Sequence, residues 1–501
     1  MKLRTIANLM VTAGAVSVLG LGAAMAAPTG KVSGNYVNIK DGYNDDVKKS
    51  LAGADKIAAE KLTVTTENIG AEDLEKILAD FPKMQSLRLQ VSDNVKSVEA
   101  LKNVSVSDSL TVKGKNVADL APVSKFTTLT RVEVDSKMFD NMKWMAPLTS
   151  LKSAYITASP KVTSLEGVPN APQLKDITIY NVNVKDLSPL NALSGVKNLG
   201  LRNSTVTDLS ALSAMKTVEE LSLYGSTSGD LTPLAAIPAL KSLDIYATKG
   251  VDYNSLATLT QIQKLHTGMT DLTDLSWVKK TTSLKELRVF AEHVSDYSPI
   301  VGSSVDDLTI WQMRSPVDLT QLKDATNLKS LTLDGCSKGS DVTNTAVVAT
   351  MTSLKKFTAR FMESCNGELN GEFAKGQANL EELIIDKVPK VTGIENFGNL
   401  ASLKKLKIAR VNSGEAVDIS FAGKLKNLTS LELSEVKISG FDALAGAEKL
   451  QYLDISKAQD VTSLKALKAL PDLRTLNVKK GVFSEEELAG FANPKLKISQ
   501  K

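Results

Sequence analysis

Apolar residues fall in pairs of the form L-x-L along most of the chain, from Leu62 to Leu496, at intervals of about 22–23 residues. In a pair such as Leu199 and Leu201 both side chains point to one side of an extended segment, because side chains alternate along a strand. Val206, Leu209 and Leu212 then return to the same interior, while Asp208 and Ser210 stay polar. A unit this small cannot bury its apolar side alone, so stacked units must share one core. The pattern predicts an α/β solenoid of about 20 coils. Each coil gives one strand to a parallel sheet and returns through a short helical or extended segment.

The two ends break the pattern, as solenoid ends must. Residues 1–26 read as a secretory leader: Lys2 and Arg4 precede an apolar stretch from Leu9 to Gly22, and Ala24-Met25-Ala26 fits a small-x-small cleavage site. Residues 27–59 read as an N-terminal cap, with Asn44-Asp45-Asp46 starting a short helix. A helix from Gly70 closes the first coil. The solenoid proper covers residues 60–480, and 481–501 form a C-terminal cap. There Ser484-Glu485-Glu486-Glu487 fits a capping box for a helix to about Phe491, followed by a last edge strand.

The runs Asp186-Leu187-Ser188-Pro189-Leu190, Asp208-Leu209-Ser210-Ala211-Leu212 and Asp230-Leu231-Thr232-Pro233-Leu234 resemble bacterial internalin-type leucine-rich repeats. The resemblance implies a horseshoe whose parallel sheet lines the concave face and binds partner molecules, in a setting of adhesion or host interaction. One column departs from it. The family's asparagine, five residues after the first strand leucine, is replaced here by Ser159, Val182, Ser204, Ser226, Thr248, Thr270, Glu292, Met313 and Cys336. Ser and Thr can still hydrogen-bond to neighbouring backbone; Val and Met cannot.

The outward positions of the strands carry the candidate chemistry. Tyr180, Arg202, Tyr224, Tyr246, Phe290 and Trp311 follow the apolar pairs, and Tyr155, His266 and Arg288 lie between them. On successive strands these side chains form a ribbon. Exposed aromatics beside arginine are the residue types that carry energy at protein interfaces. The reading is therefore an exported binding protein, secreted, periplasmic or at the cell surface, with a protein partner. The alternative is a carbohydrate ligand, because aromatic rows also stack on sugars and Asp176, Asn198, Glu220, Asp244 and Glu286 lie in adjoining columns. Cross-strand stiffening of the sheet is the plainer account of the same residues.

Composition narrows the field further. Sixty Lys and Arg against 56 Asp and Glu, a net charge of +4, speak against a nucleic-acid or anionic-membrane grip. Two His and two Cys leave almost nothing for a metal site, and no nucleotide or cofactor fingerprint is present. His266 has only Ser222 and Ser242 nearby as nucleophiles, so no enzyme is expected. Cys336 and Cys365 fall one coil apart in the two longest repeats. They are close enough for a disulfide if their side chains face each other; otherwise Cys336 is a small buried residue in the ladder column.

Overall fold

The computed structural model describes residues 27–501 except Thr270, Asn366, Ser413 and Ala492. The leader and its cleavage site lie outside the described residues, as does the Thr270 position of the ladder column.

The apolar pairs become strands of one sheet, 23-stranded among the described residues. Neighbouring coils pair in parallel and in register, with Leu199, Leu221, Leu243 and Leu265 in line. All four are buried, as are their partners two positions on. The first coil returns through the helix Ala71–Asp80, and most later returns are 3₁₀ turns, such as Ser210–Ala214, whose Leu212 is fully buried. The repeated aspartate starts each turn: Asp186, Asp208 and Asp230 accept from the backbone N–H two residues later, each at 2.8 Å. These bonds and those from the hydroxyls of the same residues, the Thr232 hydroxyl first for Asp230, hold the three carboxyls below the usual carboxylate range. The chain is a leucine-rich repeat solenoid, with its sheet on the concave face and turns on the convex face.

The ladder column is a hydroxyl ladder in the middle coils. Ser204 Oγ accepts from Val182 N at 3.2 Å, and Ser226 Oγ accepts from Ser204 N at 3.0 Å and donates to Leu201 O at 2.7 Å. Thr248 Oγ1 donates to Leu223 O at 2.8 Å. Beyond it, Glu292 turns outward and takes Arg314 at 2.9 Å.

The ends differ from expectation in four places. The N-terminal cap is more than a helix. Thr29–Ser33 and Tyr36–Lys40 form an antiparallel hairpin, whose second strand extends the parallel sheet. The helix Asp45–Ser50 then starts at Asn44, whose Oδ1 accepts from Val47 N at 2.9 Å. In the first coil Val64, not Leu62, aligns with Leu87. The C-terminal helix stops at Ala489, short of Phe491. Ser484 Oγ caps Glu487 N, but the Glu487 carboxylate accepts from Leu464 N in the preceding coil at 2.6 Å, and so ties the cap to the solenoid. In the last strand, Lys497–Gln500, Ile498 takes the place expected of Leu496 and aligns with Leu476.

The two longest coils are joined by a disulfide between Cys336 and Cys365, with Cα atoms 5.8 Å apart. Cys336 is only partly buried, unlike a ladder residue, and Cys365 is buried. Behind them a row of phenylalanines fills the wider core: Phe357, Phe373, Phe397 and Phe421 have successive ring centroids 5.2, 5.6 and 5.5 Å apart. Among the described residues no helix is long and apolar enough to cross a membrane.

Candidate functional site

Strand alternation brings the predicted ribbon to the concave face, but as two aromatic groups joined by a polar chain. In the first, the rings of Tyr155 and Tyr180 lie 5.1 Å apart. Burial and the bond to Tyr180 push the Tyr155 hydroxyl up to about 12, so it is a neutral donor at physiological pH. Arg202 packs its guanidinium 5.9 Å from the Tyr180 ring and donates to the Tyr180 hydroxyl at 3.2 Å.

The polar chain starts at the same arginine. Arg202 Nε donates to Ser222 Oγ at 3.0 Å, and Ser222 Oγ donates to Asp244 Oδ2 at 3.0 Å. Asp244 Oδ1 faces His266 Nδ1 at 3.4 Å. Burial raises the Asp244 carboxyl, but its bonds to His266, Tyr246 N and Ser222 outweigh that and hold it below the usual range. The Ser222 hydroxyl is spent on the carboxylate and not on the imidazole. This is the reverse of a nucleophile activated by histidine.

The second group is a stack. Tyr224 and Tyr246 lie 5.0 Å apart at 16°, and Tyr246 and Trp311 5.5 Å apart at 28°. His266 sits beside both rings, at 5.3 and 5.9 Å. Tyr246 and Trp311 belong to coils three strands apart, a span of about 14 Å at the usual strand spacing. Gly268 lets them meet. A Cβ there would stand 2.2 Å from Tyr246 Cδ2 and 3.2 Å from Trp311 Cζ2.

Phe290 is the correction. It points outward as its strand position requires, yet only 3% of it is accessible. The Trp311 ring meets it edge-on at 5.5 Å, and Arg314 covers it from 5.5 Å. It is a platform under Trp311 and not a contact residue. Arg288 is exposed and pairs with Glu286 at 3.3 Å, outside the stack.

Two exposed residues escaped the sequence reading. Met269 and Phe361 are 47% and 40% accessible. They occupy the position just after the outward column, where the backbone turns left-handed, with φ of +46° and +56°. Asn181, Asn203 and Gly225 fill that position in earlier coils at little cost. Met269 Sδ accepts from the Tyr246 hydroxyl at 2.8 Å, extending the stack to the rim. Phe361 lies between Arg360 and Lys387, at 5.6 and 5.1 Å. Large side chains in a left-handed turn were the available signal, and only the register of the turn reveals it.

Comparison with solved structures gives leucine-rich repeat proteins. An internalin from Listeria monocytogenes is 24% identical, with 62% of this chain and 88% of that one covered and a TM-score of 0.45. A leucine-rich repeat protein of Leptospira interrogans is 17% identical, covering 86% and 98%, with a TM-score of 0.46. The plant peptide hormone receptor RGFR1, in complex with RGF2, is 12% identical, covering 88% and 95%, with a TM-score of 0.33. No family model and no curated protein matched the sequence.

Proposed function

We propose that this chain is an exported binding protein that recognises a protein partner on its concave face, in adhesion or host interaction, and works by binding rather than turnover. The observation that carries this reading is the Tyr224–Tyr246–Trp311 stack. Phe290 already supplies cross-strand packing, fully covered. Stiffening needs no further aromatic left open to solvent, yet Tyr155 and Tyr224 remain 42% and 39% accessible. The polar chain from Arg202 to His266 fixes the rings in place before a partner arrives, which lowers the entropy lost on binding. Export is supported by the leader-like residues 1–26 and by a disulfide, which persists in oxidising compartments.

The test is a paired capture. The protein and a version with Tyr180, Tyr224, Tyr246 and Trp311 changed to Ala are immobilised and exposed to envelope and host-surface extracts. A retained protein should bind the quadruple variant at least about 100-fold more weakly, with circular dichroism unchanged. Equal retention by both would remove the concave stack from the account.

A further inference from the structure

Beside the tyrosines, the concave face holds a depression of about 210 Å³. Its floor is Thr178, Gly200 and Ser222, aligned on three successive strands. Gly200 keeps it open; a Cβ there would stand 2.8 Å from Thr178 Cγ2. The same column continues to Tyr155 on one side and to Asp244, backed by His266, on the other. Arg202 lines one flank, next to Tyr180 in its column, and Asn198, Glu220 and Ser242 line the other. Among the described residues, Glu220 and Ser242 have no side-chain partner.

The lining selects by chemistry. A cation would meet the Arg202 guanidinium, and an anion would meet Glu220 and Asp244. An apolar group would leave Glu220 and Ser242 without water or partner. A neutral polyhydroxyl ring offers a donor and an acceptor at each carbon, and its C–H face packs on an aromatic ring. The volume is below the roughly 300 Å³ at which pockets take drug-sized ligands, and suits a single ring. We propose that this depression binds one pyranose ring of a carbohydrate, free or carried by a larger partner. The subsite shares the concave face with the proposed function but does not require the partner to be a protein.

Saturation-transfer NMR on the purified protein tests it, with glucose, galactose, mannose and N-acetylglucosamine as probes and lysine amide and citrate as charged controls. At least one sugar should receive saturation on its ring protons, with Kd on the order of 1–10 mM, while both controls receive none. Ser242→Leu, which fills the depression, and the isosteric Glu220→Gln should each weaken that sugar at least about tenfold. Silence from all four sugars at about 10 mM, or binding untouched by both substitutions, would overturn the proposal. The Ser242→Leu protein keeps the aromatic stack. Partner capture that survives while sugars fail would refute the subsite alone, and sugar binding without any tyrosine-dependent partner would refute the protein-partner reading alone.

Discussion

Replacing Phe397 with alanine is expected to cost about 3–5 kcal/mol, localised to the C-terminal coils. Phe397 is fully buried and touches both neighbouring rings of the phenylalanine row, Phe373 and Phe421. Truncation removes the ring from two interfaces between coils and leaves a cavity that stacked strands cannot close. Stability in a solenoid is close to a sum over neighbouring coils, so the loss stays near its origin. All three tryptophans, Trp144, Trp277 and Trp311, lie before this region. In urea the variant should therefore lose part of its circular dichroism well before its tryptophan fluorescence changes. Unchanged midpoints by both probes would mean that the row does not hold these coils together.

Changing both Cys336 and Cys365 to serine is expected to cost about 3–4 kcal/mol, from the loop entropy returned to the unfolded chain. The sequence separation is 29 residues. In the same coils a buried hydroxyl, Ser340 Oγ, donates to Met313 O at 2.6 Å, as Ser226 and Thr248 do to the coils before them. The bridge adds a covalent tie to that bond, from Cys336 to Cys365. The Cys336 backbone N–H donates to Phe361 O at 3.3 Å, so the bridge also steadies the exposed Phe361. Urea unfolding of the double-serine protein should show an earlier transition for these coils. A loss below about 1 kcal/mol would show that hydrogen bonds and packing already suffice.

The repeat was legible because one arithmetic rule, paired leucines about 22–23 residues apart, serves every middle coil. It failed where the rule stops. The hairpin of Thr29–Ser33 and Tyr36–Lys40 carries no leucine pair, and its inward residues, Val37 and Ile39, are too few to stand out. At Leu62 and Leu496 a leucine two residues too early attracted the assignment, and backbone pairing chose Val64 and Ile498. For the site, alternation places a side chain on the correct face but says nothing of what lies over it. Phe290 satisfies the outward position and is still covered, because Trp311 folds back across Gly268. The chain of bonds from Arg202 through Ser222 and Asp244 to His266 joins four coils; strand position brings these side chains to one face but does not say which bonds to which.

The central claim is that partners are held by the concave aromatic face. A photo-reactive benzoylphenylalanine placed at Tyr224 on that face, or at Ala214 on an exposed convex turn, tests it most directly. Irradiation in the presence of the captured partner should give a covalent adduct from Tyr224 and none from Ala214. An adduct from Ala214 alone, or equal adducts from both positions, would contradict the account.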